Sequence, residues 1–222
     1  MGEQLQLKAA DGHKFGAYRA VPKGTPRGGI VVIQEIFGVN SHIRGLCDGF
    51  AADGYLAVAP ALFDRVTPNV ELGYTPDDIQ NGMGLRGKMQ WDTVLADTAA
   101  AIAVASEGGA VGITGYCYGG GVVWAASARL KGLSAAVGYY GGPWDELKAE
   151  APKCASMLHF GAKDKNIPVS LADKMKTLHP FITTHVYDAD HGFNCNQRGS
   201  YNAYAETLAR HRTMALFAAT LG

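Results

Sequence analysis

Apolar and polar residues alternate through Leu5–Lys8 and Lys14–Val21, on either side of Asp11-Gly12, which is the pattern of an N-terminal β-hairpin. Ile30-Val-Val-Ile33 is different: a continuous β-branched run, as expected of a strand buried on both faces. Further strands are predicted at Tyr55–Ala59, 110–114, 134–140, 156–160 and Ile182–Tyr187. Helical spacing fills the intervals. One helix is predicted over Ser41–Ala52, with Ser41 as N-cap and Gly54 just past its end, and one over Lys88–Ser106, carrying Met89, Leu95, Ile102 and Val104. Others follow Cys117, Val169–Leu178 and Tyr201–Ala219. Strands that alternate with helices imply a mainly parallel sheet with helices on both faces. Pro60–Gly87 fits neither period. Its Gly, Pro and Asp residues read by default as a surface loop, the other reading being an active-site excursion or cap. With no repeat, low-complexity tract or linker, residues 1–222 are expected to form a single α/β domain.

Charge narrows the function classes. Lys+Arg and Asp+Glu both number 20, so no global basic field favours nucleic acid or an anionic membrane as partner. The apolar runs are far shorter than the ~20 residues a spanning helix needs, and Met1–Lys8 lacks the basic start and apolar core of a secretory signal. Four cysteines (Cys47, Cys117, Cys154, Cys195) without a Cys-x-x-Cys pair suggest neither a disulfide framework nor a zinc knuckle. A reducing, cytoplasmic setting is expected, with the chain a monomer or small homo-oligomer.

The chemistry centres on Val111-Gly-Ile-Thr-Gly-Tyr-Cys-Tyr-Gly-Gly-Gly121. A buried strand ends at a Gly-x-Cys-x-Gly turn, the nucleophile elbow with cysteine in place of serine. An isolated thiol is only a few per cent ionised at neutral pH and needs a base. Two later loops supply candidates. Asp164 follows the strand that breaks at Gly161, and His191 lies in Asp188-Ala-Asp-His-Gly-Phe193, past another strand. Nucleophile, acid, histidine is the chain order of α/β-hydrolases. Asp188 and Asp190 stand too close along the chain to His191 to offer the side-on bond. His159, His179 and His185 read as structural, and Cys47, Cys154 and Cys195 as packing residues, Cys195 near enough to line the pocket. One oxyanion-hole amide is expected from Tyr118, the residue after the nucleophile, and the second from the loop Gln34-Glu-Ile-Phe-Gly38. That loop carries Glu35, which is open to two readings, a solvated turn residue or an active-site acid.

Taken together, Gln34–Asn40, Gly115–Gly120, Gly138-Tyr-Tyr-Gly141, Gly161-Ala-Lys-Asp164 and Asp190-His-Gly-Phe193 resemble the dienelactone hydrolase (carboxymethylenebutenolidase) family. The resemblance implies an α/β-hydrolase fold and a triad of Cys117, Asp164 and His191. It also implies Glu35 paired with the resting thiol, and the amides of Ile36 and Tyr118 as oxyanion hole. It implies further a small enol lactone or related ester as substrate, a place in aromatic degradation, and no metal or organic cofactor. At the position four residues after the histidine, where the family's well-studied members carry a substrate-binding arginine, this chain has Cys195. Arg198 and Arg86 are the candidates to replace it, with Phe37 as a further substrate contact. The alternatives are a general carboxylesterase, thioesterase or peptidase on the same triad, and, from another class, a non-catalytic thiol sensor.

Overall fold

The computed structural model describes residues 2–141 and 147–222. Eight strands form one sheet: β1 (Glu3–Lys8), β2 (Lys14–Ala20), β3 (Gly29–Ile33), β4 (Leu56–Pro60), β5 (Val111–Tyr116), β6 (Leu133–Tyr139), β7 (Ala155–Gly161) and β8 (Thr183–Tyr187). Their spatial order is β1-β2-β4-β3-β5-β6-β7-β8. The hairpin β1–β2 and the β2–β4 pair are antiparallel, and every pairing from β4 to β8 is parallel. Among the described residues six helices accompany it: α1 (Ser41–Ala52), α2 (Pro76–Arg86), α3 (Trp91–Ala105), α4 (Tyr118–Arg129), α5 (Ser170–Leu178) and α6 (Ala203–Leu221).

The continuous β-branched run explains the two cores. Along β3, Val31 and Ile33 enter the core shared with α3, α4 and α5, while Ile30 and Val32 enter the core shared with α1 and α6. Period-two alternation thus serves two apolar layers, and all five residues of β3 are buried. On β5, Gly112 leaves room for the Phe217 ring of α6, since a Cβ there would stand 2.8 Å from it. The strand order reverses about β3. Its neighbours are β4, next in sequence, and β5, whose residue Gly115 lies opposite Ile33. Loops leaving the carboxyl ends of β3 and β5 are therefore brought side by side at a topological switch point, where open α/β sheets form their crevice.

Two expectations are corrected. Asn40, not Ser41, caps α1: its backbone is extended and its side chain accepts from the Ile43 amide at 3.3 Å. Pro60–Gly87 is not a plain surface loop. It holds a 3₁₀ turn at Leu62–Arg65 and the helix α2, started by a reciprocal capping box between Thr75 and Asp78 with Pro76 in the first turn.

This segment is fastened to the sheet by Arg65. Its guanidinium grips Asp97 of α3 through two bonds of 2.6 and 2.8 Å, and reaches Asp11 in the hairpin turn at 2.6 Å. The Asp97 side chain is 0% exposed, so the arginine compensates a buried anion. Arg65→Met is expected to destabilise the fold by about 3 kcal/mol in urea unfolding, with much of the loss recovered when Asp97→Asn is added. A loss below about 1 kcal/mol, the level of an exposed pair, would show that this bridge fastens nothing.

Candidate active site

Strand β5 delivers Cys117 to the switch point, and α4 starts one residue later. Cys117 adopts φ 54°, ψ −114°, a conformation costly for any residue with a side chain. The surroundings make it unavoidable. A Cβ at position 119 would lie 2.7 Å from the carbonyl oxygens of both Ile33 and Gln34, so only glycine lets α4 approach the end of β3 this closely. This contact brings the loop bearing Glu35, Ile36 and Phe37 beside the elbow. Tyr118 opens α4 and so belongs to the first-turn amides that a helix leaves without internal acceptors. Ile36, Phe37, Cys117 and Tyr118 line one pocket of about 530 Å³, a volume suited to a small ligand.

His191 follows β8 and lines the same pocket as Cys117. Its Nδ1 meets Asp164 Oδ2 at 2.7 Å, and the Cys117 side chain lies near enough to favour the charged ring. Asp164 is fixed in turn: its other oxygen accepts from the amides of Asn166 and Ile167 at 2.8 and 2.9 Å. Burial alone would lower the His191 pKa. The bond to Asp164 and the nearby Cys117 side chain outweigh it and hold the imidazole up at about 10. The neighbouring acids are occupied elsewhere, since Asp190 accepts from the His191 main-chain amide at 2.7 Å and Asp188 pairs with Lys163 at 2.8 Å.

Glu35 is not a solvated turn residue; it is 1% exposed. Burial pushes its carboxyl pKa up, and the positive charges of Arg198 and His191 draw it back down. The pairing with the resting thiol that the resemblance implied is not the contact seen. Glu35 Oε1 accepts from Arg198 Nη1 at 3.3 Å, and Oε2 has no hydrogen-bond partner among the described residues. A buried carboxylate is better compensated by a guanidinium than by a neutral thiol. Arg198 is caged by aromatic rings, with its guanidinium carbon 5.7 Å from the Phe37 centroid and 5.9 Å from that of Tyr74. It lies so close over Gly192 that any Cβ there would collide with it.

Helix α2 forms a wall of the pocket through Ile79, Met83 and Arg86. It is seated on the loop after β3, where Gly82 lies against the Ile36 carbonyl in a gap closed to any larger residue. Arg86 and Arg198 thus reach the same cavity as Cys117. Two neighbours escaped sequence reasoning. Tyr140, just past β6, has φ 33°, sets its ring 5.2 Å from the His191 imidazole and has no partner for its buried hydroxyl among the described residues. His42, in the first turn of α1, is buried with an unpartnered Nε2, and burial together with the charge of Arg198 lowers its pKa to about 4. The Gly138–Gly141 motif signalled the first; nothing in the sequence pattern signalled the second. His159, bonded to Tyr187 at 2.8 Å and Thr213 at 3.1 Å, and His179, bonded to the Lys148 carbonyl at 2.6 Å, serve the packing away from the pocket.

The raised His191 pKa ties folding to pH. An unfolded imidazole loses its proton near ~6.5, whereas the folded one holds it to about 10. The resulting stabilisation is complete below the unfolded value and is lost as pH rises through the folded one. In urea unfolding, the stability advantage of wild type over His191→Gln is expected to shrink across that interval. A constant difference would contradict the ion pairing described.

Comparison with known proteins places this geometry. Residues 15–221 match the profile of the Dienelactone hydrolase family. The Pseudomonas putida carboxymethylenebutenolidase is 32% identical over 224 residues, covering 96% of this chain and 94% of its own. A Synechocystis protein provisionally given the same name is 37% identical over 208 residues, covering 85% and 84%. The crystal structure of a Klebsiella pneumoniae protein, provisionally a dienelactone hydrolase, superposes with a TM-score of 0.85 at 31% identity over 98% of this chain and 99% of that one. The pocket, the α/β-hydrolase architecture and these relatives agree: the chain belongs to the dienelactone hydrolase family and is a hydrolase acting on ester or lactone bonds of a small molecule.

Proposed function

We propose that this hydrolase opens an enol lactone bearing a carboxylate, through an acyl-enzyme on Cys117. One observation carries the reading. A thiol and an imidazole line one pocket together with two arginines, and the imidazole is held by a buried carboxylate, Asp164–His191 at 2.7 Å. Asp164 fixes the imidazole tautomer and stabilises its cation. Arg198 and Arg86 hold the substrate carboxylate, and Phe37 flanks the ligand. When that carboxylate takes Arg198, Glu35 is released, and its burial-raised pKa makes it the base for the thiol proton while His191 stays protonated beside the forming thiolate.

The thiolate then adds to the lactone carbonyl, and the oxyanion rests on the amides of Ile36 and Tyr118. Collapse breaks the ring C–O bond; the leaving enolate takes the proton of the His191 imidazolium, which frees that ring as a base, and stays tethered through the new thioester. Resonance makes the enolate a good leaving group, which suits a sulfur nucleophile that is itself easily expelled. His191 next deprotonates water, which attacks the thioester. The products are the ring-opened acid and the regenerated thiol, with one water consumed. No metal or organic cofactor enters these steps. A nucleophilic thiol works only while reduced. The described cysteines are all free, which supports a reducing, cytoplasmic setting for the chain acting as one domain.

Cys117→Ala is expected to abolish turnover of enol lactones while leaving circular dichroism unchanged; hydrolysis at the wild-type rate would reject the mechanism. Arg198→Met separates an enol lactone acid from a general ester. It should raise KM for carboxylate-bearing lactones by about 10- to 100-fold, the value of a charged hydrogen bond of roughly 1.5–3 kcal/mol, and leave KM for neutral p-nitrophenyl esters within about twofold. Equal losses on both substrates would favour a general carboxylesterase, and turnover confined to thioesters a thioesterase.

A further inference from the structure

Behind the pocket wall, three side chains from separate parts of the chain converge: Glu35 after β3, His42 at the start of α1, and Cys195 in the turn following His191. One ligand atom of each lies within 4.8 Å of the other two. All three are buried, at 1%, 6% and 0% exposure. Among the described residues Glu35 Oε2 and His42 Nε2 have no hydrogen-bond partner, although leaving such an atom buried and unpaired costs about 1–3 kcal/mol. The sulfur, by contrast, is already oriented. The Tyr74 hydroxyl lies near enough to favour the Cys195 thiolate, and Tyr74 is itself held by Asn40 Nδ2 at 3.1 Å. Two open donor atoms beside a positioned thiol are the components of a metal site with its supporting shell.

We propose that Glu35, His42 and Cys195 bind a borderline divalent cation of the zinc class. One carboxylate oxygen, one imidazole nitrogen and one thiolate sulfur match that class, whereas calcium and magnesium demand oxygen throughout. Bond lengths of about 2.0–2.3 Å set ligand separations near ~3.5 Å in a tetrahedral site, so the three atoms need draw in by about 1 Å. Cys195 releases its proton to solvent on binding, so the cation adds one net positive charge, and the Glu35 carboxylate divides its own charge between the metal and Arg198 on its opposite oxygen. The fourth position is left for water. Coordination through Oε2 would hold Glu35 away from the thiol and suppress hydrolysis, a consequence that rests on the role of Glu35 proposed above; binding itself does not.

Cobalt(II) is the probe, titrated into full-length, reduced, chelator-stripped protein. Wild type should take up one equivalent with a thiolate-to-cobalt charge-transfer band and tetrahedral d–d absorption, both erased by zinc. Cys195→Ser and His42→Gln should each weaken binding by more than about 100-fold, with folding checked by thermal melts, and Cys117→Ala should retain it. Absence of the thiolate band overturns the site. So does a band kept in Cys195→Ser but lost in Cys117→Ala, since the metal would then sit on the elbow thiol. Zinc should also lower lactone turnover at least about tenfold, reversibly with chelator, and Cys195→Ser should be about tenfold less sensitive. Stoichiometric binding at Cys195 with unchanged turnover would uphold the site and overturn the base role of Glu35.

Discussion

Everything in this site hangs on the close approach of two backbones at the switch point. Where β3 ends and α4 begins, the carbonyls of Ile33 and Gln34 leave no space for a side chain at position 119. That contact holds Cys117 at positive φ, sets Tyr118 at the free end of a helix, and lays the Glu35–Phe37 loop alongside. The local backbone cost, of order 1–3 kcal/mol, is offset by the two apolar cores on either side of the sheet. Strain at one residue is thus sustained by packing spread over the whole fold.

The electrostatics follow the same economy of space. Two buried carboxylates stand in the site, and each is compensated differently. Asp164 receives two backbone amides and the imidazole; Glu35 receives a single guanidinium and keeps one oxygen bare. The first is locked in place, as an orienting group must be. The second is under-satisfied, which is how a group behaves when it has more than one partner to serve.

Most of the sheet was legible because burial on both faces writes itself as uninterrupted β-branched runs, as at Ile30–Ile33, and because the elbow needs small residues at fixed offsets. Helix α2 was not. Only Gly82 on it is buried, and its pocket-lining residues Ile79 and Met83 are 40% and 47% exposed, so no apolar stripe marks it; its local signature was the Thr75–Asp78 capping box. Arg198 was equally hard to place. Its turn closes through the Cys195 amide on Gly192 and the Arg198 amide on Cys195, which carries the guanidinium back to Glu35 from further along the chain. Irregular turns of this kind have no period to read. The same blindness hid His42, whose place in α1 reads as an ordinary helical position although the fold turns it into the cluster with Glu35 and Cys195.

The seating of Gly82 on the Ile36 carbonyl carries a mechanical implication. The outer wall that sizes the cavity and the strand-end loop beside the nucleophile share one peptide as their hinge pin. Remodelling the rim of the cavity to admit a bulkier guest therefore also tilts the floor, and the shape of the doorway and the quality of the chemistry are inherited together.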